Sequence, residues 1–339
     1  MTDYTICEVL PGVYRIPVPL EGSPLKELNS YVFKKTDEPG SRNMVVDTGY
    51  YQDSCMNALT EAFELLGVDL KETDFLLTHL HADHISCVPY LVQDGCKVYM
   101  GAGDIAKMYL DGSDIPHKGS YEYSFSRVNE LGVPMDKQQE MREQMAADIF
   151  TFDKYYRDYI PVNEGDKLRA GSYTLKAIHT PGHTPGHMCY EIENTGAMLL
   201  GDTLLFDISP NIVAWIGVKD SLGDYLDSLD KLDSYDVSIP LPGHRHRGDF
   251  HTRIAELKLH HSKRIEECYK TIEELGDAYL YDIAGNVQWK IKSRNWDEFP
   301  PVQRWFALGE CIAHLDYLAC RGRIVQLTDQ NGIKYYRIC

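Results

Sequence analysis

Thr78-His79-Leu80-His81-Ala82-Asp83-His84 is the stretch on which the reading of this chain turns. It follows Phe75-Leu76-Leu77, a short apolar run that reads as a buried strand, so the motif leaves a strand end as a loop. Three imidazoles and a carboxylate fall within six residues. Loops at such an edge let side chains point into one cleft, where they can converge on metal.

Three later strand ends carry the same kinds of donor. His179-Thr180-Pro181-Gly182-His183-Thr184-Pro185-Gly186-His187 follows the strand-like run from Tyr173 to Ile178. Its repeated Pro and Gly fix a tight turn, which presents one His rigidly while neighbours brace it by hydrogen bonds. Leu199-Leu200-Gly201-Asp202-Thr203 sets a carboxylate at the end of an apolar strand, and Leu241-Pro242-Gly243-His244 repeats strand, turn and His. Together the four strand ends supply five imidazoles and two carboxylates. Nitrogen and oxygen donors without thiolate suit two divalent ions such as zinc, manganese or iron, and a pair of ions needs a shared carboxylate.

Outward from these motifs the first half alternates apolar runs with turns: Val13 to Ile16, Ser30 to Phe33, and Met44 to Val46 ending in Asp47-Thr48-Gly49. Met56, Leu59, Ala62, Phe63 and Leu66 recur at helical spacing, and Val98 to Met100 reads as the next strand. From about Asp104 to Tyr159 the chain turns helical and rich in Tyr, Met and charge, including Tyr109, Tyr121, Tyr123, Tyr155, Tyr156 and Tyr159, and reads as an insertion. The β pattern returns at Tyr173 to Ile178, Met188 to Ile192 and Met198 to Leu200, before a helix near Leu222 to Leu232 and a strand at Val237 to Pro240. Alternating strands and helices define an α/β class. Beyond them lies an amphipathic helix from His251 to about Glu274, with Ile254, Leu257, His261, Ile265, Cys268 and Ile272 on one face. The end reads as a helix, Gly309 to Ala319, and a hairpin, Ile324 to Leu327 and Tyr335 to Ile338, turned at Asp329-Gln330-Asn331-Gly332, an arrangement like a winged helix.

Composition sets the bounds. With 339 residues, 43% hydrophobic and 25% charged, the chain is an ordinary globular protein of two domains or of one domain with an appendage. The balance of 34 Lys and Arg against 51 Asp and Glu leaves a net charge of -17, which opposes duplex DNA and anionic membranes. No run approaches the roughly 18 apolar residues of a membrane span, and the start, MTDYTICEVLPG, lacks the pattern of a signal peptide, so a cytoplasmic location is expected. Nine scattered cysteines without a C-x-x-C pair read as reduced thiols rather than a disulfide framework or thiolate zinc site.

The His-x-His-x-Asp-His run, with His183, Asp202, His244 and the early Val46-Asp47-Thr48-Gly49, resembles the metallo-β-lactamase superfamily, in the branch that looks like glyoxalase II. The resemblance covers roughly Cys7 to His261. It implies an α/β metallo-β-lactamase-like αββα sandwich, two mixed sheets flanked by helices, with metals in a cleft at one edge; the insertion would lie over that cleft as a helical lid, and the end of the chain would add a small winged-helix-like C-terminal domain. The catalytic domain is then expected over residues 1–262, with the insertion at about 104–160, and the C-terminal region over 263–339. Position by position, the resemblance implies that His79, His81 and His183 bind one metal, that Asp83, His84 and His244 bind a second, and that Asp202 bridges both. Asp83 would orient the attacking hydroxide and take up its proton. His187 falls at a position that is not a ligand, and Asp47 is expected to brace the ligand loop. His179, His246 and His251 read as packed or solvated residues, and His260 and His261 as part of helix packing.

Function follows as an expectation. Two divalent ions, zinc first and manganese or iron also fitting, would activate a shared water and polarise a carbonyl, giving a hydrolase of acyl thioesters or related esters, hydroxyacylglutathione hydrolase-like. The C-terminal tail differs from the basic helical region that would grip glutathione, which turns attention to other thiol conjugates such as acyl-coenzyme A. Alternatives are a phosphodiesterase or endoribonuclease of the same superfamily using a basic wing (Arg321, Arg323, Lys334, Arg337), a di-iron redox enzyme, and a non-catalytic nucleic-acid-binding regulator. The acidic balance disfavours nucleic acid as a partner, no membrane partner is expected, and a homodimer is compatible with the chain. Asn211, shortly after the bridging aspartate, is a candidate substrate contact.

Overall fold

The apolar runs around the His-rich loop pair with one another as strands. The computed structural model describes residues 5–108, 118–149, 156–289 and 295–339. The chain opens with β1 (Cys7–Leu10), β2 (Val13–Pro19), β3 (Glu27–Phe33), β4 (Asn43–Val46), α1 (Asp53–Leu66) and β5 (Thr73–Leu77). The short helices α2 (Ala82–Ile85) and α3 (Val88–Leu91) lead to β6 (Val98–Gly101), α4 (Ala102–Met108), α5 (Lys118–Glu130) and α6 (Met135–Ile149). Then follow β7 (Ile160–Val162), β8 (Lys167–Ala170), β9 (Tyr173–His179), β10 (Met188–Ile192), β11 (Ala197–Gly201), α7 (Ser221–Asp233) and β12 (Ile239–Pro242). The chain closes with α8 (Phe250–Leu275), α9 (Leu280–Asn286), α10 (Pro301–Cys320), β13 (Ile324–Thr328) and β14 (Lys334–Ile338). Tyr109 and Tyr155 of the expected insertion lie outside the described residues.

The chain forms two compact units, each assembled from separate segments. The first comprises Met1–Met108, Phe152–Pro210 and Ser228–Ile254, the second Tyr109–Thr151, Asn211–Asp227 and Ala255–Cys339. The first unit holds a seven-stranded sheet in sequence order from β1 to β7 and a five-stranded sheet in the order β12-β11-β10-β9-β8. Both are mixed: β1 to β4 pair antiparallel and β4 to β7 parallel, while β8 to β11 pair antiparallel and β11 runs parallel to β12. Val46, Leu76 and Tyr31 of one sheet and Ala177, Tyr190, Leu199 and Leu241 of the other bury one apolar core. This is the αββα sandwich, with the period-2 alternation of each strand setting its inner face. Outside it, α1 packs on β2 and buries Leu59, Ala62 and Phe63 of the stripe read from its spacing together with Cys55, while Met56 and Leu66 of that stripe are half-buried. Gly67 ends α1 in the left-handed region at φ 61°.

In the second unit, Leu257, His261, Cys268 and Ile272 are buried along α8, as its helical period demands. Helix α10 starts eight residues before the sequence reading placed it, at Pro301, and Arg304 in its first turns is buried with Nη1 2.9 Å from Glu140 Oε2. The final hairpin turns as expected: Asp329 Oδ1 accepts from the amides of Asn331 and Ile333, and Gly332 supplies a φ of 83°. Among the described residues, no helix is long and apolar enough to cross a membrane.

Candidate metal centre

Topology gathers the chemistry at one edge of the sandwich. Because β4 and β5 are parallel, their ends deliver Asp47 and Thr78 side by side. The parallel pair β11 and β12, in register Gly201 to Pro242, does the same for Asp202 and His244. The β9–β10 hairpin closes with His179 opposite Met188 and carries His183 on its Pro-Gly turn. Two backbone bonds tie the sheets together there, Asn29 N–H to Gly243 O at 2.7 Å and Met188 N–H to Thr78 O at 2.9 Å.

Seven side chains converge. His79, His81 and His183 form one group, Asp83, His84 and His244 a second, and His79, His84 and Asp202 a third, with the donor atoms of each group within 4.8 Å of one another. Asp202 stands between the first two: its Oδ1 lies 3.6 Å from His84 Nε2, and its Oδ2 lies 3.6 Å from His183 Nε2 and 3.4 Å from His244 Nε2. All seven are buried except half-buried His81. The expected ligand positions are thus brought together from separate loops and strand ends.

Hydrogen bonds around the cluster fix which ring nitrogens face inward. His84 Nδ1 donates to Asp47 Oδ2 at 2.8 Å and His244 Nδ1 donates to Glu27 O at 2.7 Å, so each presents Nε2 to the centre. Thr78 gives its hydroxyl proton to Asp47 Oδ2, and its oxygen therefore accepts from His79 Nδ1 at 3.1 Å, leaving the His79 Nε2 lone pair 3.0 Å from His81 Nδ1. His84 Nε2 and His244 Nε2 face each other at 3.3 Å. Lone pairs this close need a cation or proton between them, and among the described residues the buried Asp202 Oδ1 has no hydrogen-bond donor. The donor set therefore fits divalent metal.

Electrostatics agree. Burial and then the surrounding imidazoles hold His79 well below its ordinary value, so it stays neutral, the form in which an imidazole can ligate metal. Burial works against charge on His84 and His244, but the neighbouring aspartates outweigh it and raise both. Burial likewise opposes the Asp83 and Asp202 carboxylates, and the facing histidines outweigh it and lower both, Asp83 to about 2. Such an arrangement concentrates anionic charge where a cation can exchange for protons.

The remaining histidines sort themselves by contacts. His187 is fully buried; its Nε2 accepts from Asp202 N–H at 3.0 Å, which places its proton on Nδ1, beside the Thr180 and Thr203 hydroxyls, each at 2.9 Å. It sets the backbone of the central aspartate rather than joining the cluster. His179 Nε2 donates to Pro185 O at 2.9 Å and braces the turn. Exposed His251 pairs with Asp233, exposed His246 gives its amide to Asp207, and His261 contacts His314 in the second unit. Asn211 lies half-buried in the second unit.

One buried carboxylate escaped the sequence reading. Asp104, read there only as the start of the insertion, is fully buried in the first turn of α4 and accepts from Leu80 N–H, Thr184 Oγ1–H and Gly186 N–H at 2.9, 2.7 and 2.6 Å. Burial pushes its carboxyl up to about 7 against these three donors. The signal available was Gly101-Ala102-Gly103-Asp104, two glycines at a strand end of the kind that permits close backbone approach.

This fold and this cluster of His and Asp define a family. The metallo-beta-lactamase superfamily matches residues 27–244, and the chain belongs to that superfamily of hydrolases, whose members imply divalent metal binding. A metallo-beta-lactamase-like C-terminal domain matches residues 297–339. Lactamase-like protein adaB of Aspergillus niger is 22% identical over 235 residues, 69% of this chain and 56% of that protein. An atrochrysone carboxyl ACP thioesterase of Emericella nidulans is 24% identical over 220 residues, 63% of this chain and 50% of that protein. The chain thus spans about half the length of these curated relatives. Among solved structures, a metallo-beta-lactamase family protein from Thermus thermophilus superposes with a TM-score of 0.77 at 26% identity, over 98% of this chain and 100% of that one. A beta-lactamase domain protein from Burkholderia ambifaria gives 0.82 at 23% identity, over 100% of this chain and 95% of that one, and shares the fold.

Proposed function

We propose that this chain is a dinuclear metal-dependent hydrolase of acyl thioesters, similar to the glyoxalase II branch. The observation that carries the reading is the position of Asp202 between two groups, His79, His81 and His183 on one side and Asp83, His84 and His244 on the other. These seven residues would hold two divalent ions, which supply an activated water and polarise the acyl carbonyl when bound. Zinc suits the imidazole and carboxylate donors best, with manganese and iron as competitors. Asp83, with Oδ2 3.3 Å from His244 Nε2 and its carboxyl held low, is ionised at neutral pH and serves as acceptor for the proton of the attacking water. Water oxygen bonds to the acyl carbon, the carbon–sulfur bond breaks, and the proton ends on the thiol.

The thioesterase names among the relatives support a thioester over a lactam, and the carrier-protein arm in those names suggests a pantetheine-type thiol, for which acyl-coenzyme A is an accessible probe. The basic wing offers little to RNA: Arg321, Lys334 and Arg337 pair with Asp220, Glu130 and Asp277, and Arg323 stacks on Tyr269.

The test is metal content per chain together with turnover of an acyl-coenzyme A panel, S-lactoylglutathione, a generic phosphodiester and RNA. About two metals per chain, with thioester cleavage abolished by chelation and restored by zinc, is expected. Cleavage of phosphodiester or RNA alone would replace this reading with a nuclease, and a chain that binds no metal would end it.

A further inference from the structure

A loop that carries metal ligands must be held from outside the ligand set, because ligand geometry tolerates little slack. Two buried aspartates touch the ligand loops here. Asp47 holds Thr78 and His84, and so orients His84 directly and His79 through the Thr78 hydroxyl. Asp104 reaches different atoms. Its Oδ2 takes the amide of Leu80, the residue between His79 and His81, and also the hydroxyl of Thr184, the residue after His183. Its Oδ1 takes the amide of Gly186 further along that second loop. One carboxylate thus spans two loops that are about a hundred residues apart in sequence and that carry all three imidazoles of the group formed by His79, His81 and His183.

The backbone is shaped for this span. A Cβ at Gly186 would lie 2.0 Å from Asp104 N, and one at Gly101 would lie 1.9 Å from Gly186 O. A Cβ at Gly103 would lie 2.9 Å from Gly186 Cα. Only glycine lets the β6–α4 turn come close enough for the short Asp104 side chain to reach both loops. An amide cannot replace the carboxylate, since Asn accepts on one oxygen and would turn donors against donors on the other side.

We propose that Asp104 is a positioning residue that fixes the spacing of His79, His81 and His183, and so sets the affinity of that metal position and not of its neighbour. The inference rests on the two-metal reading above. It is tested by titrating metal-stripped full chain with zinc in competition with a chromophoric chelator, and by recording the absorption spectrum of the cobalt-loaded protein. Asp104→Asn is expected to weaken one of two zinc equivalents about 10- to 100-fold, to alter the cobalt spectrum of that equivalent, and to leave the second equivalent and the circular dichroism unchanged. Two equivalents as tight as in the wild type overturn the proposal, and so does equal weakening of both in a folded variant. A wild-type chain that takes up no metal removes the two-metal reading and this proposal with it. If Asp104→Asn does not fold, Thr184→Val, which deletes one donor, decides by the same criteria, with Thr184→Ser expected to restore wild-type affinity.

Discussion

Asp47 Oδ2 lies 2.8 Å from His84 Nδ1, and the aspartate adopts a φ of 57° at the end of β4 to place it there. Asn tolerates the same left-handed backbone, so Asp47→Asn should fold. Its single oxygen cannot take both the Thr78 amide, which Oδ1 accepts, and the Thr78 hydroxyl and His84 Nδ1, which share Oδ2, and the His84 ring loses the negative charge at its Nδ1. A metal at the proposed position formed by Asp83, His84 and His244 is expected to bind about 10- to 100-fold more weakly, as read by competition titration. Unchanged affinity would show that His84 is held by packing alone.

His187 illustrates a different dependence. It is buried at 0% exposure, accepts from the Asp202 amide, and faces two threonine hydroxyls. His187→Ala leaves an amide without an acceptor and opens a void, at a combined cost of about 3–5 kcal/mol. Urea unfolding of the metal-free protein measures this, and a loss below about 1 kcal/mol would mean that water or a neighbour replaces the ring.

Much of this architecture was legible because it is periodic or local. Strand alternation marked the strands and the α/β class, the family resemblance supplied the sandwich, and the loops that carry the candidate ligands each begin just past an apolar strand, where turn residues mark them. The stripe of α8 was visible for the same reason. What resisted reading was non-local or broke the pattern. Asp104 meets the amides of Leu80 and Gly186, far away in sequence and silent in residue type. The start of α10 was hidden because Pro300 and Pro301 look like breakers and buried Arg304 interrupts the apolar stripe, although Pro is well tolerated in a first helical turn. The order of the two sheets and the discontinuous make-up of the two units depend on pairings that no single segment encodes.

Glycine substitutions separate packing from backbone conformation. A Cβ at Gly186 would meet the backbone of Asp104 and Gly103 at 2.0 and 2.7 Å, whereas a Cβ at Gly165 meets nothing within 4 Å and suffers only from its φ of 82°. Gly165→Ala should therefore cost about 1 kcal/mol. Gly186→Ala should cost at least about 3 kcal/mol, because backbone on both sides must move. Equal losses in chemical denaturation would contradict the close approach of the two loops.

Acid stability should depend on a pair of histidines remote in sequence from the candidate ligands. His314 and His261 are fully buried in the second unit, with His261 Nδ1 3.1 Å from His314 Nε2 and His314 Nδ1 donating to Glu310 O at 2.7 Å. Burial lowers His314 to about 4, with Arg264 and His260 adding to burial and Glu310 opposing it. Burial, then His314, His260 and Arg264, hold His261 well below its ordinary value. A histidine whose pKa is depressed on folding contributes fully above the unfolded value of about 6.5, and its contribution is lost as pH falls, because the unfolded chain takes up a proton that the folded chain refuses. Between about pH 7.0 and 5.5 the loss for His314 alone comes to about 1 kcal/mol. His314→Gln should remove about that much of the pH dependence of unfolding, whatever it does to stability at neutral pH. An identical acid slope in variant and wild type would place the acid sensitivity elsewhere and show that His314 accepts its proton inside the folded protein.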